Sequence, residues 1–152
     1  MPVAVVVQQM ILASKSGVLF TANPATHDTS TIVIEASFGL GEPVVQGQVT
    51  PDRYVLDKMT LALKTLSVAK KEVILVADEK TGQPRVANWC SSERVLTDAE
   101  LVELGKLAVR AEAFLRAPQD LEFAIDDAGV HLVQTRPITT LHAVAAPTAS
   151  AP

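Results

Sequence analysis

Residues 119–137 decide how the chain is read: Gln119-Asp120-Leu121-Glu122-Phe123-Ala124-Ile125-Asp126, then Asp127-Ala128-Gly129, then Val130-His131-Leu132-Val133-Gln134-Thr135-Arg136-Pro137. Two strand-like runs flank a short Asp/Gly turn, which is the pattern of a β-hairpin. A three-residue loop of Asp127, Ala128 and Gly129, with glycine in the left-handed position, sets Asp126 opposite Val130. Counting back, Ala124 then faces Leu132, Glu122 faces Gln134 and Asp120 faces Arg136. Directly opposed residues share a face. Asp120, Glu122, Gln134 and Arg136 therefore gather on one face, while Leu121, Phe123, Ile125, His131 and Val133 fall on the other. A two-residue loop would place Glu122 opposite Val133 and scatter the polar set, so the clean segregation favours the longer loop.

Two acids, an amide and a guanidinium at one end of a hairpin suit a divalent cation beside a phosphate. Glu122 and Gln134 offer hard oxygens for Mg²⁺, which takes few protein ligands and completes its shell with phosphate oxygens and water. Arg136 brings a fork of donors suited to a phosphate oxygen. The same pattern also describes a solvated strand face with an Asp120–Arg136 ion pair. Polar strand faces are common, and spacing alone leans to this plainer alternative.

Working outward, Thr97-Asp98-Ala99-Glu100 is a capping box. Leu101, Leu104, Ala108, Ala111 and Leu115 follow at helical spacing, which predicts a helix to about Arg116, ended by Pro118. Further strands are expected at Gly17–Ala22, Thr31–Ala36 and Tyr54–Asp57, with two more between Leu61 and Val76. Glu79-Lys80-Thr81-Gly82 is turn chemistry. Residues 3–7 are apolar and, except for Ala4, β-branched; they read as a buried strand with no lead-in, as expected of a chain that starts inside a larger domain. Residues 141–152 have the Ala/Pro-rich composition of a linker. Gly39-Leu40-Gly41 follows a strand, but Val44 breaks the dinucleotide fingerprint, and a tight turn is the plainer reading.

Composition narrows the function. The 152 residues are 48% hydrophobic and 20% charged, with 13 basic against 17 acidic side chains and a net charge of -4. That is one domain with a real core, not a disordered chain. The basic minority and six aromatics argue against a nucleic-acid binder. No run reaches the roughly 18 apolar residues of a membrane span, and no basic flank marks a signal peptide. Cys90 is alone, which fits a reducing, cytoplasmic setting and a small structural role.

Six ordered blocks carry a resemblance: Val5-Val6-Val7-Gln8-Gln9-Met10, residues 16–24, Glu35-Ala36-Ser37-Phe38-Gly39-Leu40-Gly41-Glu42, Thr50-Pro51-Asp52, residues 118–124 and Gln134-Thr135-Arg136-Pro137-Ile138. Over roughly residues 3–140 the chain resembles the nucleotide-binding domain of phosphoenolpyruvate synthase (pyruvate, water dikinase), pyruvate phosphate dikinase and rifampicin phosphotransferase. The resemblance implies an α+β, ATP-grasp-like fold, here its C-terminal part, mostly antiparallel sheet with flanking helices, in residues 1–140. It implies ATP as substrate and Mg²⁺ as cofactor. Gln8 would lie near the adenine, Glu122 and Gln134 would bind Mg²⁺ with the phosphates, Arg136 would contact phosphate as a catalytic group with Glu122, and Asp120 would support the acidic end. The family's N-terminal subdomain with its catalytic lysine and arginine, its phosphohistidine domain and its acceptor-binding domain match no block here. They become the expected partners, in the same parent chain or a separate subunit. The implied reaction passes phosphoryl to a histidine and on to pyruvate. A drug hydroxyl as acceptor, or an inactive fragment or split subunit, are the alternatives. His27, His131 and His142 lie in none of the surroundings expected of the phosphoryl carrier.

Overall fold

The computed structural model describes residues 3–45, 49–78, 81 and 83–141. The elements in chain order are β1 (Lys15–Phe20), β2 (Thr31–Phe38), α1 (Glu42–Val45), β3 (Asp52–Asp57), β4 (Leu63–Ser67), β5 (Lys71–Ala77), β6 (Pro84–Ser91), α2 (Asp98–Leu115), β7 (Gln119–Asp126) and β8 (Gly129–Pro137). Six strands form one antiparallel sheet in the order β4-β3-β2-β1-β7-β8, and β5 and β6 form a separate two-stranded ribbon. The fold is thus α+β and mostly antiparallel, as expected.

One face of the sheet carries the core. Leu19, Ile32, Ile34, Tyr54, Leu56, Leu121, Phe123 and Ile125 are buried there against Leu101, Leu104 and Ala108 of α2. Period-two alternation places these strand residues on one face, and the i, i+3, i+7 repeat of α2 supplies the matching stripe. The predicted capping box is present: the Thr97 hydroxyl accepts from the Glu100 amide, and the Glu100 carboxylate accepts from the Thr97 amide at 2.7 Å. Glu100 also takes the Lys15 ammonium at 2.7 Å, which ties the helix start to β1. Arg116 closes the helix in the left-handed conformation, its amide donating to the Glu112 carbonyl at 2.8 Å.

The pairing of β1 with β7 brings the C-terminal hairpin beside the first strand, Val18 opposite Glu122 and Phe20 opposite Asp120. Gly17 makes that approach possible: a Cβ there would lie 2.1 Å from the Glu35 carbonyl oxygen and 2.8 Å from the Phe123 ring. The face opposite α2 is left partly open along β1, β7 and β8.

Four expectations need correction or fall outside the described residues. Residues 3–7 form no strand; Val7 is 95% exposed and Val6 86%. β-Branched propensity measures fit to a pleated, paired surface, and this segment pairs with none of the described strands. Cys90 is exposed on β6 rather than packed. The expected turn at residues 79–82, apart from Thr81, and the expected linker beyond Leu141, with His142, lie outside the described residues. No helix among the described residues is long and apolar enough to cross a membrane.

Candidate functional site

The hairpin of β7 and β8 reaches the expected polar register by a different route. Its loop is the two-residue one: Asp126 pairs with Gly129, Ile125 with Val130 and Phe123 with Leu132. The Asp126 carboxylate caps the turn by accepting from the Ala128 amide at 2.9 Å. A register shift between Glu122 and Phe123 then leaves Val133 as an extra residue, so that Glu122 faces Gln134 and Asp120 faces Arg136. This is a β-bulge, and it reconciles two demands. Near the turn, Val130 packs against the core, which requires the short loop. At the far end, Gln134 and Arg136 must share a face with Glu122 and Asp120, which requires one residue to be absorbed. The three-residue loop expected from the sequence is therefore corrected, as is the side of His131. That ring lies opposite Ala124 on the polar face, its Nε2 2.7 Å from Asp126 Oδ1.

The four polar residues interact unevenly. The Gln134 amide serves one of two neighbours according to its orientation: in one its Nε2 donates to Glu122 Oε1 at 3.3 Å, and in the other, which its surroundings satisfy better, its oxygen instead accepts from Arg136 Nε at 2.7 Å and Nη2 at 2.9 Å. Arg136 thus has Gln134 as its partner and makes no ion pair with Asp120. Asp120 Oδ1 is buried without a hydrogen-bond partner. Burial raises the Asp120 carboxyl above its ordinary range, and the nearby Arg136 charge offsets this only in part. A buried carboxylate oxygen with nothing to bind is costly, and such groups concentrate at sites where a ligand completes them.

Gln8 arrives from outside the sheet. It is not on a strand, but its amide donates to the Val133 carbonyl at 3.3 Å, so the bulge is also its docking point. Gln8, Met10, Leu40, Glu122, Ala124 and Val133 are among the residues lining a cleft of about 450 Å³. The structure therefore brings Gln8 and Glu122 to one cleft, with Gln134 and Arg136 continuing along the same face. Its lining is largely apolar, with a few polar groups at one side, the usual make-up of a small-molecule site. Among the described residues no group of three or more His, Cys, Asp or Glu side chains could hold a metal alone.

The glycine segment makes the tight turn expected of it. Gly39 has φ of +82°, and a Cβ there would meet the Leu75 carbonyl oxygen at 2.2 Å, so glycine is required by the turn and by the close approach. The following Leu40, Gly41 and Glu42 line the cleft.

Residues 1–151 match the family described as pyruvate phosphate dikinase, AMP/ATP-binding domain. The chain belongs to this family. Among curated relatives it is 45% identical to a probable phosphoenolpyruvate synthase of Pyrococcus horikoshii, with 90% of this chain aligned to 18% of that protein. It is 44% identical to the phosphoenolpyruvate synthase of Pyrococcus furiosus over the same shares. A rifampicin phosphotransferase of a Streptomyces species is 41% identical over 92% of this chain and 16% of that protein. The chain thus spans less than a fifth of the length of these relatives. The family is one of AMP/ATP-binding domains.

A further cluster was invisible in the sequence. Lys71 and Asp52 form an ion pair at 2.5 Å with no exposed side-chain surface on either partner. Asp52 also accepts from the Ala69 and Val95 amides at 2.9 and 2.8 Å and from the Tyr54 hydroxyl at 3.1 Å. Burial pushes the Tyr54 hydroxyl up to about 12. Asp52 reads as a turn residue and Lys71 as one of several basic residues in a strand, so no spacing rule joins them.

Proposed function

We propose that the chain is the C-terminal part of an ATP-grasp domain and supplies half of a Mg²⁺-ATP site in a phosphoenolpyruvate synthase. The observation that carries this is the alignment of Glu122, Gln134 and Arg136 on one open face beside the cleft that Gln8 enters. Glu122 and Gln134 are the residues that would hold Mg²⁺; the ion itself would neutralise polyphosphate charge. Two oxygen ligands are enough for an ion that shares phosphate oxygens, which suits a face lacking a three-acid cluster. Phosphoryl transfer asks the protein mainly for positioning and charge neutralisation, so these residues and Arg136 matter more than any general base.

Each side chain has a separate task in this reading. Arg136 offers its guanidinium fork to a phosphate oxygen, held in place by Gln134. Gln8 presents its amide at the apolar end of the cleft, where an adenine would lie. Asp120 gains a partner for its buried oxygen only when the site is filled. The transfer itself, to a histidine and onward to pyruvate, belongs to domains outside this chain. The kinship with a rifampicin phosphotransferase supports a second reading, with the same ATP half-site and a drug hydroxyl as acceptor.

The test is calorimetric titration of the chain with Mg²⁺-ATP. Weak binding is expected, reduced about tenfold by Glu122→Ala and by Arg136→Ala, which corresponds to about 1.4 kcal/mol each. No binding by a folded chain would overturn the half-site reading and leave only the family membership standing. ATP consumption by the purified chain, abolished by Glu122→Ala, would overturn the half-site reading.

A further inference from the structure

The ribbon of β5 and β6 stands outside the main sheet. A two-stranded hairpin is marginal on its own in water, so its seat must come from tertiary contacts. Three are present. At its root, the buried Lys71 ammonium binds Asp52 and donates to the Glu93 carbonyl at 2.6 Å. In its middle, the Leu75 carbonyl accepts from the Leu40 amide at 2.7 Å, and Gly39 and Leu75 form a parallel bridge. On its flank, the Trp89 ring leans on Phe38 with centroids 6.0 Å apart.

Gly39 stands where this ribbon meets the sheet. Its amide donates to the Ser14 carbonyl at 2.8 Å, its carbonyl accepts from the buried Ser16 hydroxyl at 2.6 Å, and its bare α-carbon admits Leu75. The residues after it, Leu40, Gly41 and Glu42, form one wall of the cleft, and Pro84 of β6 lines the same cleft. We propose that the β5–β6 hairpin is a positioning element of the nucleotide cleft: Leu75 closes on Gly39 and Leu40 and so holds the Leu40–Glu42 wall opposite Glu122. Gly39 is the positioning residue and Lys71 the anchor. Neither touches nucleotide. This rests on the nucleotide reading above, and it explains why a cleft wall is tied to a ribbon that, among the described residues, contributes only Pro84 to the lining.

Trp89 is the only tryptophan and reports the seat of the hairpin. The experiment compares the chain with Gly39→Ala and, as a control on the exposed face, Val86→Ser. Without ligand, Gly39→Ala should red-shift Trp89 emission and speed hydrogen exchange at the Leu40 amide while the far-UV spectrum is kept. With Mg²⁺-ATP, its affinity should fall about tenfold, the cost of losing a pre-formed wall. Val86→Ser should change none of these. A released hairpin with unchanged affinity would overturn the positioning role, since a merely structural contact lowers the melting temperature alone. Unchanged Trp89 emission and Leu40 exchange would overturn the latch. If the unsubstituted chain binds no Mg²⁺-ATP, the proposal falls with the nucleotide reading, and the ligand-free measurements identify that as the cause. Should Gly39→Ala fail to fold, Phe38→Leu loosens the flank instead, read by Leu40 exchange and affinity with the same outcomes.

Discussion

Glu122 and Gln134 stand opposite each other only because Val133, between Leu132 and Gln134, is bulged out of the ladder. The bulge is the feature on which the candidate site turns. Without it the two-residue turn would put Val133 opposite Glu122 and send Gln134 to the core face, because a slip of one residue exchanges the faces of a strand.

Deleting Val133 is therefore expected to be tolerated. Removal of the extra residue leaves Glu122 facing Gln134 and Asp120 facing Arg136 in a regular ladder. Stability should change by no more than about 1–2 kcal/mol in urea denaturation, well below the cost of an ordinary strand deletion. Nucleotide binding should still weaken, since the deletion removes a cleft wall and the carbonyl that holds Gln8. A chain that no longer folds would show that the bulge is essential to the sheet itself.

Asp120→Asn should raise the melting temperature of the ligand-free chain while weakening Mg²⁺-ATP binding. The folded Asp120 carboxyl sits above its ordinary value because of burial. At neutral pH folding thus carries the cost of a poorly solvated carboxylate. As pH falls through the raised folded value, the native state takes up the proton first, and stability from this group rises with acidification until the unfolded value is passed. The asparagine should abolish that rise. Its gain at pH 7 is expected to be at most about 1 kcal/mol, since the side chain is partly solvated. A lower melting temperature for Asp120→Asn would contradict this account.

Asp52→Ala should cost more than Lys71→Met. Removing Lys71 leaves Asp52 with two amides and the Tyr54 hydroxyl still donating to it. Removing Asp52 leaves the fully buried ammonium with the neutral Glu93 carbonyl in place of a carboxylate, and takes the acceptor from the buried Val95 amide and the part-buried Ala69 amide at once. Breaking a buried pair costs about 3–5 kcal/mol, and Asp52→Ala should exceed that range while Lys71→Met falls at its lower end. Equilibrium denaturation of the two variants ranks them, and the reverse order would refute the network as described.

Gly17→Ala should destabilise the sheet severely, whereas Gly41→Ala should be mild. The new methyl at position 17 would meet a backbone oxygen at 2.1 Å, while at position 41 the nearest atom is the Ser16 Cβ at 3.4 Å. Overpacking costs about 1–3 kcal/mol or more when backbone must move, which puts Gly17→Ala at or above the upper end. Thermal melts of the pair decide it.

Local pattern was enough for the elements with a strong local signal. The capping box and the apolar repeat of α2, the continuous apolar run of β2, the alternation of β7, and the membership of Asp120, Glu122, Gln134 and Arg136 on one hairpin face were all legible in the residues. These depend on periods of two and 3.6 and on end-capping chemistry, which act within a few residues of chain. The ordered blocks likewise led to the nucleotide-binding family, which the match over residues 1–151 establishes. What tertiary structure decided was of another kind. Val3–Val7 has strand propensity but pairs with none of the described strands; the turn of the last hairpin is two residues long because Val130 is drawn to the core; and Asp52 of the main sheet finds Lys71 at the root of the separate ribbon. Each depends on which surfaces meet in space, and burial against a distant partner outweighs a preference of a few tenths of a kcal/mol held locally.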